Sequence, residues 1–167
     1  MTWKRTVLVV ANVTANSDEL LAALLERAGS EPVQYTLIVP ATAFGGGRAA
    51  AEKTLAEALQ KLRAAKLTIE GEIGNGDPVI AVTEAWDPKR FDEIVISTLP
   101  MRFSKWLHAG LPERVAKITG APVTHVVSEP RKRDYPTVHR AEHEKQGVIS
   151  PLTVLGWGGG GGSNPAR

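Results

Sequence analysis

Arg102, Lys105, Trp106 and His108 fall within one short stretch and could together hold an anion against an aromatic wall. Guanidinium and ammonium groups pair with phosphate or carboxylate oxygens, and both also sit well over a ring face. The plainer reading, preferred here, is a solvated basic loop with Trp106 packed on the helix that follows. The stretch comes after an apolar run, Ile94–Ile96, which reads as a buried parallel strand. In an open α/β sheet the crevice beyond the carboxyl end of such a strand is where ligands sit. Ser97 and Thr98 lie at that end, and Gly110 and Leu111 open the next helical segment. The other half of the crevice belongs to the end of the first strand, at Ala11–Thr14. The candidate ligand-binding residues are Ala11, Asn12, Val39, Ser97, Thr98, Arg102, Gly110 and Leu111.

Other groups carry less chemistry. Gly45–Gly47 beside Arg48 could cradle phosphate at a helix N-terminus, but it lacks the spacing and the Lys-Ser/Thr of a P-loop. It reads as a flexible connector. His139 and His143 are four apart with Glu142 nearby, a poor metal spacing with no placed third ligand. His125 sits in an apolar strand and reads as a partly buried, hydrogen-bonded residue. Ser17 is better explained as a helix cap than as a nucleophile, since no Ser-His-Asp set can be assembled around it. No paired carboxylates are framed as acid and base. There is no cysteine, so thiolate chemistry, disulfides and cysteine-based zinc sites are excluded. The chain is therefore expected not to be an enzyme and to hold no metal.

The elements that must position the crevice follow from hydrophobic period. Arg5–Asn12 is a β-branched run and reads as the first strand. Ser17 caps a helix whose apolar residues, Leu20, Leu21, Leu24, Leu25 and Ala28, recur at helical spacing until Gly29 stops it. Val33–Val39 is the second strand, and Phe44–Arg48 a flexible link. A second helix, from about Arg48 to Ala65, carries Leu55, Leu59 and Leu62. Leu67–Ile73 alternates apolar and polar, as an edge strand does. Asp77 and Pro78 make a strong start for a third helix holding Val79, Ile80, Val82 and Trp86. Glu93–Ser97 is the fourth strand. Leu111, Val115 and Ile118 mark a fourth helix closed by Gly120, and Val123–Val127 is the fifth strand. This alternation predicts a parallel sheet with helices on both faces.

Composition sets the outer bounds. The 167 residues fit one domain, residues 1–129, and a tail, 130–167. The domain carries 14 basic and 15 acidic side chains, the tail six and three. The positive charge thus lies in the tail, which argues against a nucleic-acid-binding domain. No signal-peptide pattern is present, and no apolar run approaches the roughly 20 residues that span a bilayer. A soluble cytoplasmic protein is expected. Within the tail, Arg131–Arg133 reads as a solvated hinge. Gly147–Trp157 is an apolar island, expected to dock on its own domain or on a second copy, ahead of five glycines at Gly158–Gly162.

The order of elements, and residues 97–111 in particular, resemble the universal stress protein family over residues 5–128. Many ATP-binding members carry Gly, two residues, Gly, nine residues, Gly, then Ser or Thr. The matching positions here are Ser97, Pro100, Gly110 and Leu111, so only the third glycine is kept. Asn12 stands where ATP-binding members usually carry Asp. Gly76-Asp77-Pro78, Glu113-Arg114-Val115 and Ala121-Pro122-Val123 also look like family segments. The resemblance implies an open five-stranded parallel sheet in the order 3-2-1-4-5. It also implies a stress-related regulatory binding domain, non-enzymatic and homodimeric; the fifth strand, an expected sheet edge, and the apolar island are the expected contact. Pro100 has no N–H and a fixed φ, and Ser97 and Leu111 add side chains where glycine lets a backbone approach phosphate. Weak or absent ATP binding is expected. The alternative is a binder of an adenine nucleotide or another small molecule in the crevice between strands 1 and 4.

Overall fold

The computed structural model describes residues 3–130. The expectations for Arg131–Arg133, His139, His143, the apolar island and the glycine run lie outside the described residues. Five strands, β1 (Arg5–Val10), β2 (Val33–Pro40), β3 (Thr68–Gly74), β4 (Glu93–Thr98) and β5 (Val123–Val127), form one sheet. All neighbours are parallel, in the order β3-β2-β1-β4-β5. The expected architecture is therefore the observed one. The helices are α1 (Asp18–Ser30), α2 (Gly47–Ala64), α3 (Pro78–Ala85), α4 (Lys105–His108) and α5 (Leu111–Thr119).

The central strands read as unbroken apolar runs because both of their faces are covered. Val7, Val9, Leu37 and Val95 face Leu20 and Leu24 of α1 and Ala58 and Leu62 of α2. The alternate residues Leu8, Val10, Ile94 and Ile96 face Ala81 and Val82 of α3 and Leu111 and Val115 of α5. The predicted caps form. Ser17 Oγ accepts from Leu20 N–H at 3.1 Å, and Asp77 Oδ1 accepts from Val79 N–H at 2.8 Å and Ile80 N–H at 3.3 Å. Among the described residues no helix is long and apolar enough to cross a membrane.

Several local expectations need correction. β1 ends at Val10 rather than Asn12. Ala11 N–H still donates to Ile38 O at 3.2 Å, and the chain then turns, with Ala15 N–H on Asn12 O at 2.9 Å. Gly29 does not stop α1, which continues through Ser30; glycine permits a stop but does not force one. Phe44–Arg48 is an ordered turn rather than a loose link. Gly45 and Gly47 N–H both donate to Thr42 O at 3.0 Å, and Gly46 and Gly47 take the positive φ values, 89° and 70°, that make the turn possible. Trp86 lies just past α3, stacked on Phe91 with ring centres 6.1 Å apart.

At the opposite end of the sheet from the crevice, Glu93 is 4% exposed and holds three partners. Its carboxylate accepts from Arg27 at 2.9 Å, Arg5 at 3.1 Å and Thr124 at 2.7 Å. The starts of β1, β4 and β5 and the last turn of α1 are thereby tied together.

Candidate functional site

Parallel strands end together, and their carboxyl ends leave a crevice where the connections to the two helical layers part. Here a cleft of about 260 Å³ opens at the ends of β1 and β4. Asn12 and Thr14 supply one wall, and Ser97, Thr98 and Leu99 the floor. Thr42, Phe44 and Gly45, after β2, close one side; Phe103, Lys105 and Trp106, after β4, close the other.

The floor is built from hydroxyls that are already committed. Ser97 Oγ donates to Thr14 Oγ1 at 2.9 Å and lies 3.3 Å from Ser128 Oγ. Thr14 Oγ1 donates to Ser97 O at 3.0 Å, and Ser128 Oγ pairs with Ser17 Oγ at 2.8 Å. The same Ser17 that caps α1 thus anchors the chain after β5. Asn12 Nδ2 donates to Pro40 O and to Thr42 Oγ1, each at 3.0 Å, locking the ends of β1 and β2 together. Gly45 makes room for that bond: a Cβ there would lie 2.6 Å from Thr42 Oγ1 and 3.2 Å from Asn12 Nδ2. Gly45→Ala is expected to cost about 1–3 kcal/mol through overpacking, read as a lower urea midpoint with an unchanged slope.

Of the predicted residues, the structure brings Asn12, Ser97 and Thr98 to the cleft. Ala11 and Val39 are fully buried and Leu111 is 1% exposed, all three as core. Arg102 is exposed outside the lining, its guanidinium carbon 4.6 Å above the centre of the Phe103 ring. Gly110, with φ 64°, precedes α5 and does not line the cleft. Lys105 and Trp106, singled out in the basic stretch, do line it. Trp106 also packs on the core formed with α3 and α5, as the plainer reading expected. Thr42, Phe44, Phe103 and Ser104 escaped the sequence reading. Carrying the crevice rule past Val39, into the connection that follows strand 2, would have found Thr42 and Phe44. The connection after β4 is structured: a 3₁₀ turn, Met101–Phe103, leads into α4, whose first turn Ser104 caps through Leu107 N–H at 3.2 Å.

His125 is exposed rather than partly buried, but its Nε2 lies 2.7 Å from Thr98 Oγ1. Desolvation of its ring holds the imidazole pKa below the ordinary value, and the charge of Glu113 opposes that shift. Thr98 Oγ1 also lies 2.8 Å from Leu99 O, so its single proton is already engaged. Arg48, considered for phosphate, pairs instead with Glu52 at 3.0 Å. No group of three or more His, Cys, Asp or Glu side chains able to hold a metal occurs among the described residues.

Fold and cleft together define an α/β protein with an open crevice at the switch between β1 and β4. Solved structures that it resembles include universal stress proteins. One from Archaeoglobus fulgidus, in complex with dAMP, matches with a TM-score of 0.54 at 19% identity, covering 75% of this chain and 99% of that one. Another universal stress protein, in complex with cAMP, matches at 0.51 and 22% identity over 76% of this chain and 98% of that one. A family member from Arabidopsis thaliana with AMP bound matches at 0.53 and 14% identity over 80% and 96%. No protein-family model and no curated protein matches the chain. The chain has the universal stress protein fold.

Proposed function

We propose that this domain is a non-enzymatic, regulatory binding module that takes a mononucleotide-sized ligand in the cleft and holds Mg-ATP weakly. The observation that carries the reading is the cleft itself, at the carboxyl ends of β1 and β4, with aromatic side walls and a hydroxyl floor. Its 260 Å³ falls just below the ~300–1,000 Å³ common for drug-sized ligands. A base and sugar fill such a space, and a triphosphate would extend beyond it. That structural neighbours carry dAMP, cAMP and AMP supports the same ligand size. The loop that would hold further phosphates is committed elsewhere. Ser97 is 0% exposed within the hydroxyl network, Leu111 is core, and Pro100 has no N–H to offer. The non-enzymatic reading is supported by Thr98, whose proton is spent within the protein and which is 2% exposed.

We extend the proposal to a cytoplasmic homodimer formed through β5. That strand is a sheet edge in the observed order and leaves Val127 45% exposed, and edges accept added strands. Thermal shift of the full chain tests the ligand reading. AMP at one hundred times its dissociation constant is expected to stabilise by about 2.7 kcal/mol, and Mg-ATP at the same concentration by less. No shift with AMP, dAMP or cAMP would remove the mononucleotide reading.

A further inference from the structure

Two cations rest on aromatic rings beside the cleft. Lys105 Nζ lies 4.2 Å from the centre of the Phe44 ring, and Arg102 Cζ lies 4.6 Å from that of Phe103. Among the described residues, neither forms an ion pair with a carboxylate. Only Lys105 of the two lines the cleft. Phe44 is 70% exposed. Its turn presents it firmly, because Gly45 and Gly47 N–H both close on Thr42 O. Phe44 follows β2 and Lys105 follows β4, so their contact spans the mouth of the cleft.

The chemistry of this pair is complementary to one kind of ligand. An open phenyl face accepts a planar ring by offset stacking. The lysine ammonium, on a flexible four-carbon stem, can leave the ring for a stronger anionic partner. Among the described residues the floor offers no competing cation, and the Asn12 amide N–H groups and the Ser97 hydroxyl are already in use. We propose that Phe44 and Lys105 are the specificity determinants of the cleft, selecting a ligand that combines a planar aromatic ring with one anionic group: the ring on Phe44, the anion on Lys105. The inference rests on the cleft being a ligand site.

The test compares AMP with adenosine, which share a ring and differ in the anion, by intrinsic tryptophan fluorescence and equilibrium dialysis on the full chain. The unaltered protein is expected to bind AMP about tenfold tighter than adenosine. Lys105→Gln should bring AMP affinity down to the adenosine level and leave adenosine unchanged, while Lys105→Arg retains the preference. Phe44→Ala should weaken both ligands by a similar factor. Both side chains are exposed, so an unchanged Tm confirms that each variant is folded. If the unaltered protein binds both ligands equally, or Lys105→Gln weakens them alike, the specificity assignment fails and the cleft reading stands. If the unaltered protein binds neither, the cleft reading fails and takes this assignment with it.

Discussion

Leu111→Ser is expected to lower stability by about 2–5 kcal/mol, the range for truncating a buried leucine. The side chain is 1% exposed and packs among Val115, Ile96 and their neighbours between the sheet and α5. Serine there leaves a cavity and brings a hydroxyl into an apolar site, and each change is unfavourable. Chemical denaturation should show a much lower midpoint with little change in slope. The result matters for function because serine or threonine is what an ATP-binding loop would carry at this position. Rebuilding that loop with Ser97→Gly, Pro100→Gly and Leu111→Ser is therefore expected to destabilise the domain. Ser97→Gly would also remove the hydroxyl that donates to Thr14. A triple variant as stable as the parent would show that these positions are not committed to packing.

Glu93→Ala should cost about 3 kcal/mol, toward the low end for breaking a buried ion pair because both arginines partly reach water. Side-chain exposures are 6% for Glu93, 23% for Arg27 and 38% for Arg5. Arg5 keeps Glu31 at 2.8 Å, whereas Arg27 and the Thr124 hydroxyl lose their carboxylate. Acid titration should report the same cluster. Desolvation, the largest single influence, raises the Glu93 pKa. The hydrogen bonds from Arg27 and Thr124 and the charges of Arg27 and Arg5 outweigh it, so the folded value lies below the usual 4.5. The unfolded chain then takes up the proton more readily than the folded one. The stabilisation is complete above the ordinary carboxylate pKa and is lost as pH falls through the lower folded value. Stability measured from pH 6 downward should therefore decline more steeply in the parent than in Glu93→Gln, which has no such proton to bind. Parallel profiles would remove Glu93 from the acid response.

Much of the frame could be read from local pattern. Continuous β-branched runs marked β1 and β4, and Ser17 and Asp77-Pro78 marked helix starts, because caps and burial on both faces leave signatures within a few residues. The strand order entered through family resemblance instead, since no local signal fixes which strands neighbour one another. The site was less legible. Asn12, Ser97 and Thr98 were found by the rule for strand ends, but Ala11 after β1 and Val39 near the end of β2 turn into the core, as Leu111 does from the start of α5. The hydroxyl network joins Ser17 to Ser128 and Thr14 to Ser97, partners 111 and 83 residues apart, which no spacing pattern can show. Gly45 and Gly46 suggested flexibility, yet their small size and conformational range serve a closed turn that sets Phe44 at the cleft mouth.

Calorimetric titration of the full chain with AMP and with Mg-ATP tests the central claim most directly. The cleft at the ends of β1 and β4 should give a saturable exothermic isotherm with AMP and a weaker one with Mg-ATP, because Ser97, Pro100 and Leu111 supply no backbone cradle for the outer phosphates. A micromolar or tighter dissociation constant for Mg-ATP, or no binding of AMP at millimolar concentration, would contradict the account.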